Sequence, residues 1–318
     1  MSPVRALLLT LALAVSPAHA ELRVFVISGL GGEPEYERRF QQQAEAIAHA
    51  ATRAGAAQDN VVLLTGERAR RESFTRELTA FVGKAQKDDQ VVVVFIGHGS
   101  FDGADYRFNV PGPDVTGREI AAMLDKLPSN QQLIVNATSS SGAVADAWKQ
   151  PNRIVITATK SGGERNATRF AQYWVEALTS PEADRDKNET VTAEEAYEFA
   201  ARKVADTFKS DAALATEHSR IEAPAGGGAP ARFVVARLGN TAILPNDAAL
   251  AAMLKEQAGI EQQIDALRAR KASLPADQYY DELEKVLITL ARLDRRIDER
   301  KATLMGTQAR EADEPKTR

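Results

Sequence analysis

The stretch Gln90 to Ile96 reads QVVVVFI, and no other segment limits the fold as tightly. Successive β-branched residues favour an extended strand, and apolar side chains at both inward and outward positions mean that both faces are covered. Such a strand belongs inside a parallel sheet with helices on either side. The pattern recurs at Leu22 to Ser28 (LRVFVIS), Asn60 to Thr65 (NVVLLT), Gln132 to Ala137 (QLIVNA) and Arg153 to Thr159 (RIVITAT). Helical segments alternate with these strands. One follows Gly29-Leu30-Gly31-Gly32 and runs to Arg53, and the others cover Arg71 to Gln86, Gly117 to Leu127 behind a Thr116 cap, Thr168 to Leu178 and Ala193 to Lys209. The alternation predicts an α/β fold, a doubly wound and mostly parallel sheet over residues 21–222. Right-handed crossovers then put the C-terminal strand ends along one edge, where ligands bind.

The two ends of the chain have a different character. Residues 1–20 combine Arg5, an apolar run from Ala6 to Val15 and the small-residue pattern Ala18-His19-Ala20, the signature of a cleaved signal peptide. The run is short for a membrane span, no later stretch is long enough, and the Ala- and Arg-rich composition is of a bacterial kind, so a periplasmic or secreted protein is expected. Residues 223–246 read as a Gly/Pro-rich linker (APAGGGAPA) with a connecting strand at Arg232 to Leu238. From Asp247, Leu250, Met253, Ile260, Ile264, Leu267 and Leu274 follow helical spacing, and Leu283, Leu290, Ile297 and Leu304 recur at intervals of seven, with Val286 and Leu293 between. Leu274-Pro275 interrupts the pattern. An α-helical hairpin or coiled coil is expected over 247–305, packed within the chain or pairing two copies in a homo-oligomer, with a disordered tail over 306–318.

The chain has 318 residues and no cysteine. Disulfides, Cys-ligated metals and a thiolate nucleophile are therefore excluded. Forty Lys and Arg against 44 Asp and Glu leave a net charge of −4, too little positive field for nucleic acid to be a natural partner.

Chemistry gathers at two strand ends. His98, in Ile96-Gly97-His98-Gly99-Ser100, follows the most buried strand, and its flanking glycines allow a sharp turn. The next strand ends in Asn136-Ala137-Thr138-Ser139-Ser140-Ser141-Gly142. Adjacent parallel strands bring such ends together, and a histidine beside a hydroxyl is the pairing of base and nucleophile. The plainer reading is structural, with His98 bonded to a neighbouring loop and Ser141 capping a helix over Ala143 to Trp148.

These two segments resemble the caspase–legumain clan of cysteine peptidases, in which one strand ends in His-Gly and the next in an acidic residue, Ala, Cys, any residue, Ser, Gly. Bacterial legumain-like (C13) and caspase-like proteins are the nearest match, and Val191-Thr192-Ala193-Glu194-Glu195-Ala196-Tyr197 resembles a helix start in the caspase-like group. The resemblance covers roughly Leu22 to Glu222 and implies a caspase-like three-layer sandwich with catalytic His98. It also implies an edge built from Gly97, Gly99, Asn136, Ser140, Ser141 and Gly142. The family nucleophile is missing. Counting back from Ser141-Gly142 puts its position at Ser139, and counting forward from Asn136-Ala137 puts it at Thr138. A hydroxyl is a far poorer nucleophile than a thiolate and needs an aligned base. The expectation is a pseudo-peptidase that binds a peptide or protein at the strand edge. The alternatives are a Ser/His hydrolase using Ser139 with His98, and an assembly protein acting through its C-terminal helices.

One further motif stands apart. Asp184-Arg185-Asp186-Lys187-Asn188-Glu189-Thr190-Val191-Thr192-Ala193-Glu194-Glu195 follows the spacing of a Ca²⁺-binding loop, with Asp184, Asp186, Asn188, the Thr190 carbonyl and Glu195 as ligands. Glu189 occupies the position that normally takes glycine. The competing reading is a helix capping box of Thr192 and Glu195.

Overall fold

In the computed structural model, which describes residues 20–224, 228–238 and 247–313, the buried strand is where the sequence puts it. The chain runs through β1 (Leu22–Ser28), α1 (Pro34–Arg53), β2 (Val61–Leu64), α2 (Arg71–Lys84) and β3 (Gln90–Ile96). Three short strands follow, β4 (Gly99–Phe101), β5 (Tyr106–Phe108) and β6 (Val115–Thr116), then α3 (Gly117–Leu124) and β7 (Gln131–Asn136). Next come β8 (Arg153–Thr157), α4 (Phe170–Ala177), β9 (Thr190–Thr192), α5 (Ala193–Ser210), β10 (Arg220–Glu222), α6 (Ala229–Arg232) and β11 (Val234–Arg237). Two long helices close the chain, α7 (Ala248–Ala269) and α8 (Ala276–Asp313).

The main sheet has the order β10-β8-β7-β3-β1-β2. Its strands are parallel except β10, which lies antiparallel on β8. One row of the register runs Val62, Phe25, Val93, Ile134, Val155. Alternation then decides the layers. Val91, Val93 and Phe95 point to a core shared with Phe74 and Leu78 of α2 and with Ile120 and Leu124 of α3. Val92, Val94 and Ile96 point the other way, into a core shared with Phe40 and Ile47 of α1, Trp174 of α4 and Phe199 of α5. This is the expected three-layer α/β sandwich.

Two antiparallel sheets were not legible in the sequence. One is β4-β5-β6, and the other pairs β11 with β9, so the stretch read as a connecting strand docks on the α/β domain. The signal-peptide residues 1–19, linker residues 225–227 and 239–246, and tail residues 314–318 lie outside the described residues.

Helices α7 and α8 form the expected hairpin within one chain. Leu250, Ile260 and Ile264 pack against Leu293 and Ile297. Gln257 donates to Asp294, and Arg300 pairs with Asp247, which also caps α7. Helix α8 continues to Asp313, into the stretch expected to be a disordered tail. After Gly306, that stretch carries Gln308, Ala309, Arg310, Glu311 and Ala312, all favourable helix formers. Among the described residues, no helix is long and apolar enough to cross a membrane.

Candidate functional site

The glycines of the two motifs do steric work at the strand ends. Gly97 has φ 138, a backbone that L side chains rarely adopt. A Cβ on Gly99 would lie 2.5 Å from the Ser139 carbonyl oxygen, so the exits of β3 and β7 touch only because no side chain is there. A Cβ on Gly142 would lie 2.2 Å from the Ser161 backbone nitrogen. Strand β1 joins the same edge: the Gly29 N–H donates to the Ile96 carbonyl, and the Gly31 N–H donates to Glu37 of α1.

His98 is half-buried on the α1 side of the sheet. Its ring stands edge-on to Tyr36 and Phe40, at centroid distances of 5.0 and 5.1 Å. Burial lowers its pKa, the Gly31 backbone bonded to the ring acts in the opposite sense, and Arg39 adds to the lowering. The imidazole is therefore neutral at neutral pH.

The two hydroxyls that the sequence left open have different surroundings. Thr138 is turned to the opposite core. Its Oγ1 lies 2.6 Å from the Tyr106 hydroxyl and donates to Asn136 Oδ1 at 2.8 Å. Burial pushes the Tyr106 phenol up to about 12, so it remains a protonated partner. Ser139 is only 1% exposed, and its Oγ has no hydrogen-bond partner among the described residues. The same holds for Asn136 Nδ2, Ser140 Oγ and Ser28 Oγ. Buried polar atoms without partners are uncommon. Four of them sit in β1, in β7 and in the turn after β7, on the edge carrying His98. Among the described residues, no hydrogen bond links His98 to any hydroxyl from Thr138 to Ser141.

Ser141 does not act as a helix cap. Residues Ser141–Val144 form a single 3₁₀ turn preceded by Ser140 at φ 56, with no side-chain cap. The Ser141 hydroxyl is drawn across to β8, where it accepts from the Thr159 backbone N–H and lies 3.2 Å from Thr159 Oγ1.

The turn is supported from behind by residues without a sequence signal. The Ser140 N–H donates to the Glu164 carbonyl, and Thr168 donates to the Ala137 carbonyl at 2.6 Å. The Glu164 carboxylate accepts the His218 backbone N–H and lies 2.5 Å from its ring. Burial acts to raise the Glu164 pKa, but bonds from His218 and the Lys160 backbone outweigh it and hold the carboxyl below its usual range. Glu217, next in the chain, accepts the N–H groups of Arg169 and Phe170 at the start of α4. Burial pushes it up to about 7 against those two bonds. Tyr36 and Phe40, the aromatic wall of His98, did leave a trace in the sequence, because they lie four apart on one helix face.

The acidic loop brings Asp184, Asp186 and Glu195 together, with oxygens within 4.8 Å of one another. Those three carboxylates could hold a hard cation. The loop also builds the expected capping box: Thr192 Oγ1 accepts from the Glu195 N–H, and Glu195 Oε2 accepts from the Thr192 N–H. The second Glu195 oxygen accepts from Arg185, and both Asp184 oxygens accept backbone N–H groups, from Asn188 and Glu189. Asn188 Oδ1 is turned to Thr190. Glu189 has φ 63, the left-handed backbone for which glycine is usual. Burial raises the Asp186 pKa, and the nearby charges of Glu195 and Asp184 add to this.

No known family model matches the chain, and no curated protein matches it. Among solved structures, it is similar to caspase-1 from Spodoptera frugiperda, at 12% identity over 64% of this chain and 86% of that one, with a TM-score of 0.45. It is also similar to protein GSU0716 from Geobacter sulfurreducens, at 13% identity over 64% of this chain and 94% of that one, with a TM-score of 0.44. Both scores lie below 0.5, and the reading of the site rests on its own residues.

Proposed function

We propose that this is an exported, non-catalytic relative of the caspase- and legumain-like peptidases that holds a peptide or protein segment at the strand edge beside His98. The observation that carries the reading is Ser139. A hydroxyl stands where the family carries its thiolate, it is enclosed, and it has no base bonded to it. The groups that a docked segment would meet are the half-buried His98, whose ring can bond a main-chain group, and Leu30, 43% exposed at the rim, which offers an apolar contact beside it.

The test treats the mature protein with a fluorophosphonate probe, beside Ser139→Ala and His98→Ala. The expected result is no labelling in any of the three, together with saturable binding of members of a peptide library that Leu30→Asp weakens by about tenfold. Labelling of the wild type that both substitutions abolish would instead establish a Ser/His hydrolase. A second reading, assembly through the C-terminal helices, is favoured by Tyr280, Leu287 and Ile288, exposed on one face of α8. Truncation after Leu238 tests it, because oligomerisation that survives the cut removes it.

A further inference from the structure

A second opening lies on the other side of the molecule, between the α/β domain and the hairpin. It is a groove of about 810 Å³, walled by the Lys187–Thr192 segment and β11 on one side and by α8 from Asp294 to Ala302 on the other. Strand β11 delivers Arg237 to it. Ala236 is buried in the core, so the next residue faces away from that core, opposite Thr190 of β9.

Arg237 is half-buried, and among the described residues its side chain makes no hydrogen bond, ion pair or ring contact. Burial lowers the pKa of its guanidinium, which nonetheless stays charged in any protein. A half-buried charged fork without a counter-charge among the described residues is an unusual arrangement, because taking an unpaired charge partly out of water is unfavourable. The acidic groups of the groove do not meet this need. Asp294 is engaged by Gln257, and Glu189 and Asp298 are exposed on the rims. Arg232 and Lys301 line the same groove and add positive charge from opposite walls.

We infer that this groove is a binding site for a small oxyanion-bearing molecule, phosphate or carboxylate, gripped by the planar fork of Arg237 and flanked by Lys301. A guanidinium presents parallel donors that match either group, and the volume is that of an ordinary small-molecule site. This site is independent of the strand edge, and either proposal can fail without the other.

The test titrates the full mature chain with inorganic phosphate and, separately, with citrate, by calorimetry and thermal unfolding at constant ionic strength, with chloride as the control. Saturable binding of either anion is expected, weakened about tenfold or more in Arg237→Gln. Phosphate alone binding assigns a phosphoryl ligand, and citrate alone assigns a carboxylate. Responses equal to those of chloride, or undiminished affinity in Arg237→Gln, overturn the site. If that variant does not fold by circular dichroism, Lys301→Gln on the surface of α8 serves instead. A loss of about threefold or more is then expected, and unchanged affinity overturns the proposal.

Discussion

The strand edge and the acidic loop are both rich in polar groups, and they use them in opposite ways. At the edge, Ser28, Asn136, Ser139 and Ser140 each keep a buried polar atom without a partner among the described residues. In the loop, Asp184, Asn188, Thr192 and Glu195 exchange bonds with backbone and side chains a few residues away. Short-range bonds form whenever the local turn forms, so the loop is complete by itself. The edge is assembled from strands far apart in sequence, and its polar atoms are enclosed by the packing of the sheet rather than chosen for one another. A polar cluster satisfied internally stabilises its own turn, whereas the enclosed atoms of the edge depend on the packing around them.

Substitutions at the edge and in the loop should therefore differ in cost. The largest effect is expected at Gly142. In Gly142→Ala, the new Cβ meets the Ser161 backbone at 2.2 Å, which a flexible side chain cannot relieve. A loss of about 3 kcal/mol or more in urea unfolding is expected. A near-neutral result would mean that the turn after β7 is not held where it is described.

The next effect concerns the rear of the edge. Glu217 is raised from 4.5 to about 7, so the folded state binds the extra proton across that range. Its contribution to stability is full below 4.5 and is lost as pH rises through about 7. The expected loss from this group is at most about 3 kcal/mol, and Glu217→Gln flattens the slope. Denaturant midpoints at several pH values check this, and parallel curves for the two proteins would contradict it.

The smallest effect belongs to the loop. Thr192→Ala removes the cap of α5 while Glu195 stays in place, at a cost of about 1–2 kcal/mol. The same experiment reads out the contrast, because the loop change should leave the Glu217 slope untouched.

Much of the fold was legible because it is written in local periodicity. Every main-sheet strand but β10 and the helices α1 to α5 follow from runs and spacings within a few residues, as does the Thr116 cap, which closes a full capping box with Glu119. The sheet β4-β5-β6 escaped because strands of two or three residues carry no period of their own, and the β9-β11 sheet because its pairing joins distant parts of the chain. At the site, His98 was legible because it stands between two glycines where a strand apolar on both faces ends. Its companions Tyr106, Glu164, Thr168 and Glu217 were not, since each acts through a contact with a distant part of the chain.

The sequence by itself therefore determined the three-layer sandwich, the edge where its strands end, the histidine there and the absence of a thiolate. All of these depend on residue type and short-range spacing. The tertiary structure gives the two hydroxyls different surroundings, because a one-residue slip moves a side chain to the other face of a sheet, and the face is set by which core receives it. Thr138 bonds to Tyr106, and Ser139 is enclosed without a partner among the described residues. The tertiary structure also brought Arg237, which makes no ion pair among the described residues, to a groove that exists only where the hairpin meets β11.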